Sequence, residues 1–284
     1  MDDEPPPDAP PAPPPGGGAA GGPAEPDPRR LLGAADESSR LVRLAAANNA
    51  AWCDAVCRAH GRTPQFTPRW WCHEGPGLQY YPNLVTLDAA LTTIDVAPWV
   101  ECLCANSDMG EFGIKDSFAR LDLAPLGLQP LFDGQWIHRA TPATLEARGA
   151  LRWAAVDSEP LRARWEAAWS RGAGAPVGEA PRFPPSLLQS PGITLLAACA
   201  GDEVVAGCTL TFDDEVVGMS CNFHGDLDPH AVLHEVVAEI HRRHPSLALV
   251  GYESADDLTL ALACGFEPVG PLRVWLRASP DTPP

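Results

Sequence analysis

Gly113-IKDSFARLDLAPLGLQPLFDGQWIH-Arg139 and Gly251-YESADDLTLALACGFEPVGPLRVWL-Arg277 are the two stretches whose reading decides the fold. Each is 27 residues long, and the two align without a gap. Gly113 falls on Gly251, Gly127 on Gly265, Leu128 on Phe266, Pro130 on Pro268 and Arg139 on Arg277. Each reads as a strand, a short helix, a glycine stop and a second strand. Glycine at a helix end has a physical basis, because that position commonly takes positive φ. Residue identities and element order agree together, so the chain is read as an internal duplication.

Working outward, the first half opens with an amphipathic helix over 38–60. Leu41, Leu44, Ala45, Trp52, Ala55 and Val56 share one face, Ser38 stands as its cap and Gly61 follows its end. Strand-like pieces lie around Trp70 and across Leu78–Leu87, which Pro82 interrupts. A helix is expected at 94–104, with strands at 111–115 and 130–138. The second half predicts a strand over Leu151–Val156 and a helix capped by Ser158 that buries Leu161, Trp165, Ala168 and Trp169. Strands follow at Ile193–Cys199, Val204–Phe212 and Val216–Phe223, joined by tight turns. Asp228 and Pro229 then occupy N-cap and N1 of a helix that stops before Pro245. A strand at Leu247–Tyr252, a short helix at 257–264 and a strand at Pro271–Leu276 complete the half. The fold class is therefore α/β of the α+β type: two tandem domains, each a mixed, mainly antiparallel sheet flanked by helices. The expected divisions are an acidic Pro/Gly-rich disordered tail over 1–34, domains at 35–140 and 141–278, and a tail at 279–284.

Composition bounds the function. The chain of 284 residues carries a net charge of −17, a field that repels nucleic acid. No apolar run is long enough to span a membrane, and the N-terminus lacks the pattern of a secretory signal. The expectation is a cytoplasmic protein. Nine cysteines lie mostly within apolar periodic segments, which suits reduced, buried thiols. Cys53, Cys57 and His60 at i, i+4 and i+7, with Cys72-His73 beyond, offer zinc-ligand chemistry. Their spacing matches no standard finger, and packed cysteine behaves as a small hydrophobe, so no metal is expected. Trp70-Trp71 and Tyr80-Tyr81 suit either a pocket lining or a buried sheet face.

The segment ALACGFEPVGPLRVWLR (261–277), after a hairpin meander and the helix that follows Phe223, resembles the closing helix, turn and last strand of the GNAT superfamily of acyl-CoA-dependent N-acyltransferases. The resemblance covers about 150–277, and residues 38–139 resemble a degenerate second copy. It implies a V-shaped opening between strands 216–223 and 247–253, with acetyl-CoA or another acyl-CoA lying along the first and Cys221, Asn222, Phe223, Gly225 and Ser254 at the cofactor. It also implies acyl transfer to an amine on a small molecule or protein. The chain departs from the family pattern at two places. The family's pyrophosphate loop, (Gln/Arg)-x-x-Gly-x-(Gly/Ala), is replaced by His224-Gly225-Asp226-Leu227-Asp228-Pro229-His230-Ala231. Four residues before the closing glycine, where the family commonly has a tyrosine acid, stand Ala261 and Leu123. If chemistry survives, Glu253 or His224 is the base and strand N–H groups near Asn222 are the oxyanion donors. The rival expectation is a non-catalytic protein of the same fold that binds a small ligand or protein partner in the cleft or the groove between the copies.

Overall fold

The computed structural model describes residues 28–141, 151–175 and 180–278, with side chains from Asp36 onward. Residues 1–27 of the tail expected over 1–34, and the tail expected at 279–284, lie outside the described residues. In chain order the elements are α1 (Pro28–Ala59), β1 (Gln65–Phe66), β2 (Trp70–Cys72), β3 (Leu84–Thr86), α2 (Thr93–Ala105), β4 (Phe112–Asp116), β5 (Gln129–Arg139), β6 (Arg152–Ala155), α3 (Glu159–Gly172), β7 (Ile193–Ala200), β8 (Glu203–Phe212), β9 (Val216–Phe223), α4 (Pro229–Arg243), β10 (Ala248–Glu253), α5 (Ala255–Ala263) and β11 (Glu267–Arg277).

Two expectations need correction. The first helix does not start at Ser38 but at Pro28, so residues 28–34 of the expected tail are helical. Proline is favoured in a first turn, and Leu31, Leu32, Ala34 and Ala35 carry the helix onward. The short helix expected before Gly127 is a single 3-10 turn, Ala124–Leu126, with Pro125 inside it. Both stop glycines do take positive φ, +82° at Gly127 and +83° at Gly265.

All eleven strands form one continuous sheet in the order β1-β2-β3-β4-β11-β5-β10-β9-β8-β7-β6. Each half contains one parallel pair, β3 with β4 and β9 with β10, and the other pairings are antiparallel. At the centre the repeated endings exchange their last strands. β5, from the first half, lies against β10 of the second, and β11 lies against β4 of the first. The two exchanged strands pair with each other along most of their length. The repeated arginines follow this exchange. Arg139 Nε donates to the Cys264 carbonyl at the end of α5, 3.0 Å away, while Arg277 meets Cys104 at the end of α2.

Strand pairing also corrects the gap-free alignment. Arg277 lies opposite Phe112, and Arg139 lies opposite Leu249. Because Arg139 and Arg277 are repeat partners, Phe112 corresponds to Leu249, one position off the ungapped frame. Lys115 thus corresponds to Tyr252, and Asp116 to Glu253. The missing residue sits in the connection that shrank to a 3-10 turn.

Strand alternation sorts the side chains onto two faces. Val42, Ala45 and Ala46 of α1 pack on Trp136, Val216, Val250, Leu272 and Val274 across the centre of one face. Further along, Trp52 and Val56 join Trp165 and Trp169 of α3 on that face. The helix approaches so closely that a Cβ on Gly218 would sit 1.8 Å from Asn48 Oδ1. The other face is covered by α2 over the first half and by α4 and α5 over the second. Among the described residues no helix is long and apolar enough to cross a membrane.

Candidate functional site

The site arises where the sheet fails to close. β9 and β10 pair only from Val216–Ala248 to Gly218–Val250. Beyond that point they diverge, and a cavity of about 520 Å³ opens through the sheet. β9 is also bulged here. Gly207 of β8 faces Phe223 and Thr209 faces Ser220, so Cys221 and Asn222 share one position opposite Cys208. Cys221 takes φ +53° at this bulge. The edge of β9 toward β10 is consequently unpaired from Met219 to Phe223.

Cys221, Asn222, Phe223, His224, Gly225 and Glu253 all line the cavity. Ser254 is not among its lining residues and stands at the N-cap of α5. Glu253, at the end of β10, is half-buried on the face covered by α4 and α5. Burial, and then the nearby Asp257, push its carboxyl up to about 7, while the Asn222 amide opposes that rise. Asn222 Nδ2 lies 3.5 Å from Glu253 Oε1. The His224 ring instead turns into its own loop, with Nδ1 3.1 Å from the Leu227 carbonyl. Burial pushes the Cys221 thiol up to about 12, so it remains protonated and is no nucleophile at neutral pH.

The equivalent position in the first half is held differently. Asp116, the counterpart of Glu253, is buried, and its carboxylate accepts hydrogen bonds from the Leu121 N–H at 2.7 Å and the Phe118 N–H at 3.3 Å. One acidic position therefore has two fates, locked by the backbone in β4 and open to a cavity in β10.

The first half contributes to the second half's cavity. Asn49, Trp52 and Cys53 of α1, Tyr80 and Tyr81 from the loop before β3, and Lys115 of β4 all line it. Burial, with Cys221 nearby, raises the Tyr81 hydroxyl well above the usual range. Of the aromatic pairs, Trp71 is core and Tyr80-Tyr81 line the cavity. Sequence reasoning offered Tyr80-Tyr81 as a pocket lining but missed Asn49, Trp52 and Lys115 as site residues, because nothing local signals that 49–53, 80–82 and 115 meet 219–225 in space.

Residues of the acyl arm's expected path fit an extended thioester: a free strand edge on β9 and apolar walls from Val232, Leu233 and Val236 of α4. The pyrophosphate seat does not fit. The Asp228 carboxylate caps α4 by accepting from the Ala231 N–H at 3.1 Å and the His230 N–H at 3.4 Å. Those are the donors an anion would use, and a carboxylate already occupies them. At the start of α2 the pattern differs: Asp95, inside the first turn, reaches back to accept from the N-cap Thr92 N–H at 2.9 Å. Replacing Asp228 with alanine is expected to cost about 1 kcal/mol of stability and to tighten acetyl-CoA binding. Denaturant titration and calorimetry on the same variant measure the two effects.

Cys53 and Cys57 pack with Ala50, Trp71 and Val85, and His60 Nε2 contacts the Arg182 carbonyl at 3.0 Å. Among the described residues no three His, Cys, Asp or Glu side chains converge on a metal position.

An α/β chain in two tandem halves, with a splayed parallel pair and a bulged strand at the opening, has the GNAT fold. Solved structures agree. A GCN5-related N-acetyltransferase from Kribbella flavida superposes with a TM-score of 0.54 at 13% identity, covering 84% of this chain and 96% of that one. A functionally unknown conserved protein from Staphylococcus epidermidis superposes at 0.51 and 11% identity, over 77% and 94% of the two chains. Coverage of this extent takes in both halves, so the likeness is to the tandem fold. No family model matches the chain, and no curated protein is significantly similar to it in sequence.

Proposed function

We propose that this chain transfers an acyl group from acyl-CoA to an amine, and does so in the cavity at the β9–β10 opening. The observation that carries the reading is Glu253, a carboxyl pushed by burial to about 7 at the mouth of the splayed pair. A base is most effective when its pKa lies near the working pH. Acyl-CoA supplies an activated thioester. Glu253 accepts the proton of the attacking amine as the N–C bond forms and the C–S bond breaks. With Ala261 in the usual tyrosine's place, the proton that Glu253 takes from the amine is the one available to return to the departing thiolate. Backbone N–H groups of β9 near Asn222, beyond the last β9–β10 pair, are the donors offered to the developing oxyanion.

One observation favours the rival reading, a non-catalytic ligand-binding protein: the Asp228 carboxylate fills the pyrophosphate seat. Release of free CoA thiol from acetyl-CoA in the presence of an amine panel separates the two. The catalytic reading expects turnover that rises with pH through about 7. Absence of any amine-dependent thiol release at every pH would establish the rival.

A further inference from the structure

Lys115 is the chain's one lysine. It is only 3% exposed, yet its ammonium lines the cavity. Nζ donates to Asn49 Oδ1 at 2.7 Å and sits 4.0 Å from the centre of the Tyr252 ring. Both partners are neutral. Among the described residues no carboxylate lies within ion-pair distance of Nζ. An ammonium has three donors, and one is used. A buried charge without a counter-ion is costly.

The cavity's own acids do not serve as that counter-ion. Leu249 packs on the face covered by α4 and α5, and Val250 on the face covered by α1. By alternation Glu253 shares the side of Leu249 and Tyr252 that of Val250. Ile114 packs toward α2, so Lys115 points to α1, where Asn49 meets it. The Lys115 charge is felt at Cys53 and Cys221 on its own side and is not among the influences on Glu253. The opening joins a cationic chamber, walled by Trp52, Tyr81 and Tyr252, to an acidic mouth at Glu253.

We propose that Lys115, with Asn49 beside it, binds the carboxylate of the ligand, so that the acceptor is a small aminocarboxylate held with its carboxylate at Lys115 and its amine toward Glu253. One ammonium in an otherwise neutral chamber matches a single negative charge, which suits a carboxylate better than a doubly charged phosphate. The amine half of the statement rests on the acyl-transfer reading above; the carboxylate half does not. The same residue explains why the first half remains part of the molecule, since β4 places the cation that the second half's site lacks.

The test uses the full chain without acyl-CoA. Thermal shift and calorimetry compare β-alanine, 4-aminobutyrate and 5-aminopentanoate with propylamine, butylamine and pentylamine, and with inorganic phosphate. The expected result is stabilisation by at least one aminocarboxylate and by neither its matched alkylamine nor phosphate. Lys115→Met is expected to weaken that binding about 30-fold or more while leaving the unliganded protein at least as heat-stable, because an uncompensated buried charge is gone. Equal stabilisation by alkylamines, stabilisation by phosphate alone, no response to any aminocarboxylate, or undiminished binding by Lys115→Met would each overturn the proposal. The ligand comparison on the unaltered protein decides the matter even if the variant does not fold. Carboxylate binding without thiol release would sink the acyl-transfer reading alone.

Discussion

Glu253→Gln is expected to lower acyl transfer by about 10²–10⁴-fold and to abolish the rise in rate with pH. Glutamine keeps the shape and the contact with Asn222 but cannot accept a proton. The same variant makes a stability prediction of definite sign. The carboxyl lies near 7 in the folded protein against an ordinary 4.5. A group raised in this way favours the folded state while protonated. Its contribution is complete below the ordinary value and is lost as pH rises toward and past 7. At pH 8 the wild-type protein therefore carries a half-buried carboxylate that costs on the order of 3 kcal/mol. Glu253→Gln should be more stable than wild type at pH 8 and indistinguishable from it near pH 4. Denaturant titrations at the two pH values read the difference. A variant that loses activity without this pH-dependent gain would mean that Glu253 is not the half-buried acid described here.

Trp136→Ala carries the largest expected structural effect. Trp136 is fully buried on the exchanged strand β5. Its ring packs with α1, β9, β10 and β11 residues, and Nε1 donates to the Ser117 carbonyl at 2.8 Å. Removing a buried aromatic ring costs about 3–5 kcal/mol, and here the loss also strands the Ser117 carbonyl. More telling is how the cost is distributed. Trp136 belongs by sequence to the first half but holds both halves through one sheet. The variant should unfold in a single transition at lower denaturant, with tryptophan fluorescence and far-ultraviolet circular dichroism moving together. Two separated transitions would contradict the continuous exchanged sheet.

Much of this architecture was legible in the residues. The strand Val216–Phe223 has its expected bounds, and Asp228-Pro229 start α4 as cap and first residue, because hairpin turns, β-branched runs and capping residues act locally. The duplicated endings announced two related halves. What periodicity could not show is which strand lies beside which. β5 and β11 read alike, and exchanging them changes no local preference. The one-residue slip that pairs Asp116 with Glu253 was hidden because the anchors Gly127/Gly265, Pro130/Pro268 and Arg139/Arg277 all lie beyond the connection that lost the residue. Nor does any residue pattern encode the bulge at Cys221, a non-glycine held at positive φ by its neighbours.

The site was legible only along one strand and the loop after it. Asn222, Phe223, Gly225 and Glu253, which line the opening, sit at the ends of recognisable elements. Ser254 was included through the family resemblance; it stands at the N-cap of α5 and is not among the residues lining the cavity. Lys115, Asn49 and Tyr81 come from the other half of the chain; Tyr81 reads there as a pocket lining or a buried sheet face, Lys115 and Asn49 as ordinary strand and helix residues. Their significance lies in being buried together around an open space, and burial is a property of the fold.

Acetyl-CoA binding to the full chain, followed by calorimetry and by thermal unfolding at neutral pH, tests the central claim most directly. The account predicts saturable binding and a concentration-dependent rise in stability, about 2.7 kcal/mol when the ligand stands at 100 times its Kd. It also predicts that wild type binds more weakly than Asp228→Ala, whose pyrophosphate donors are free. No heat of binding and no stabilisation at millimolar acetyl-CoA, in either protein, would contradict the assignment of the β9–β10 opening as an acyl-donor site.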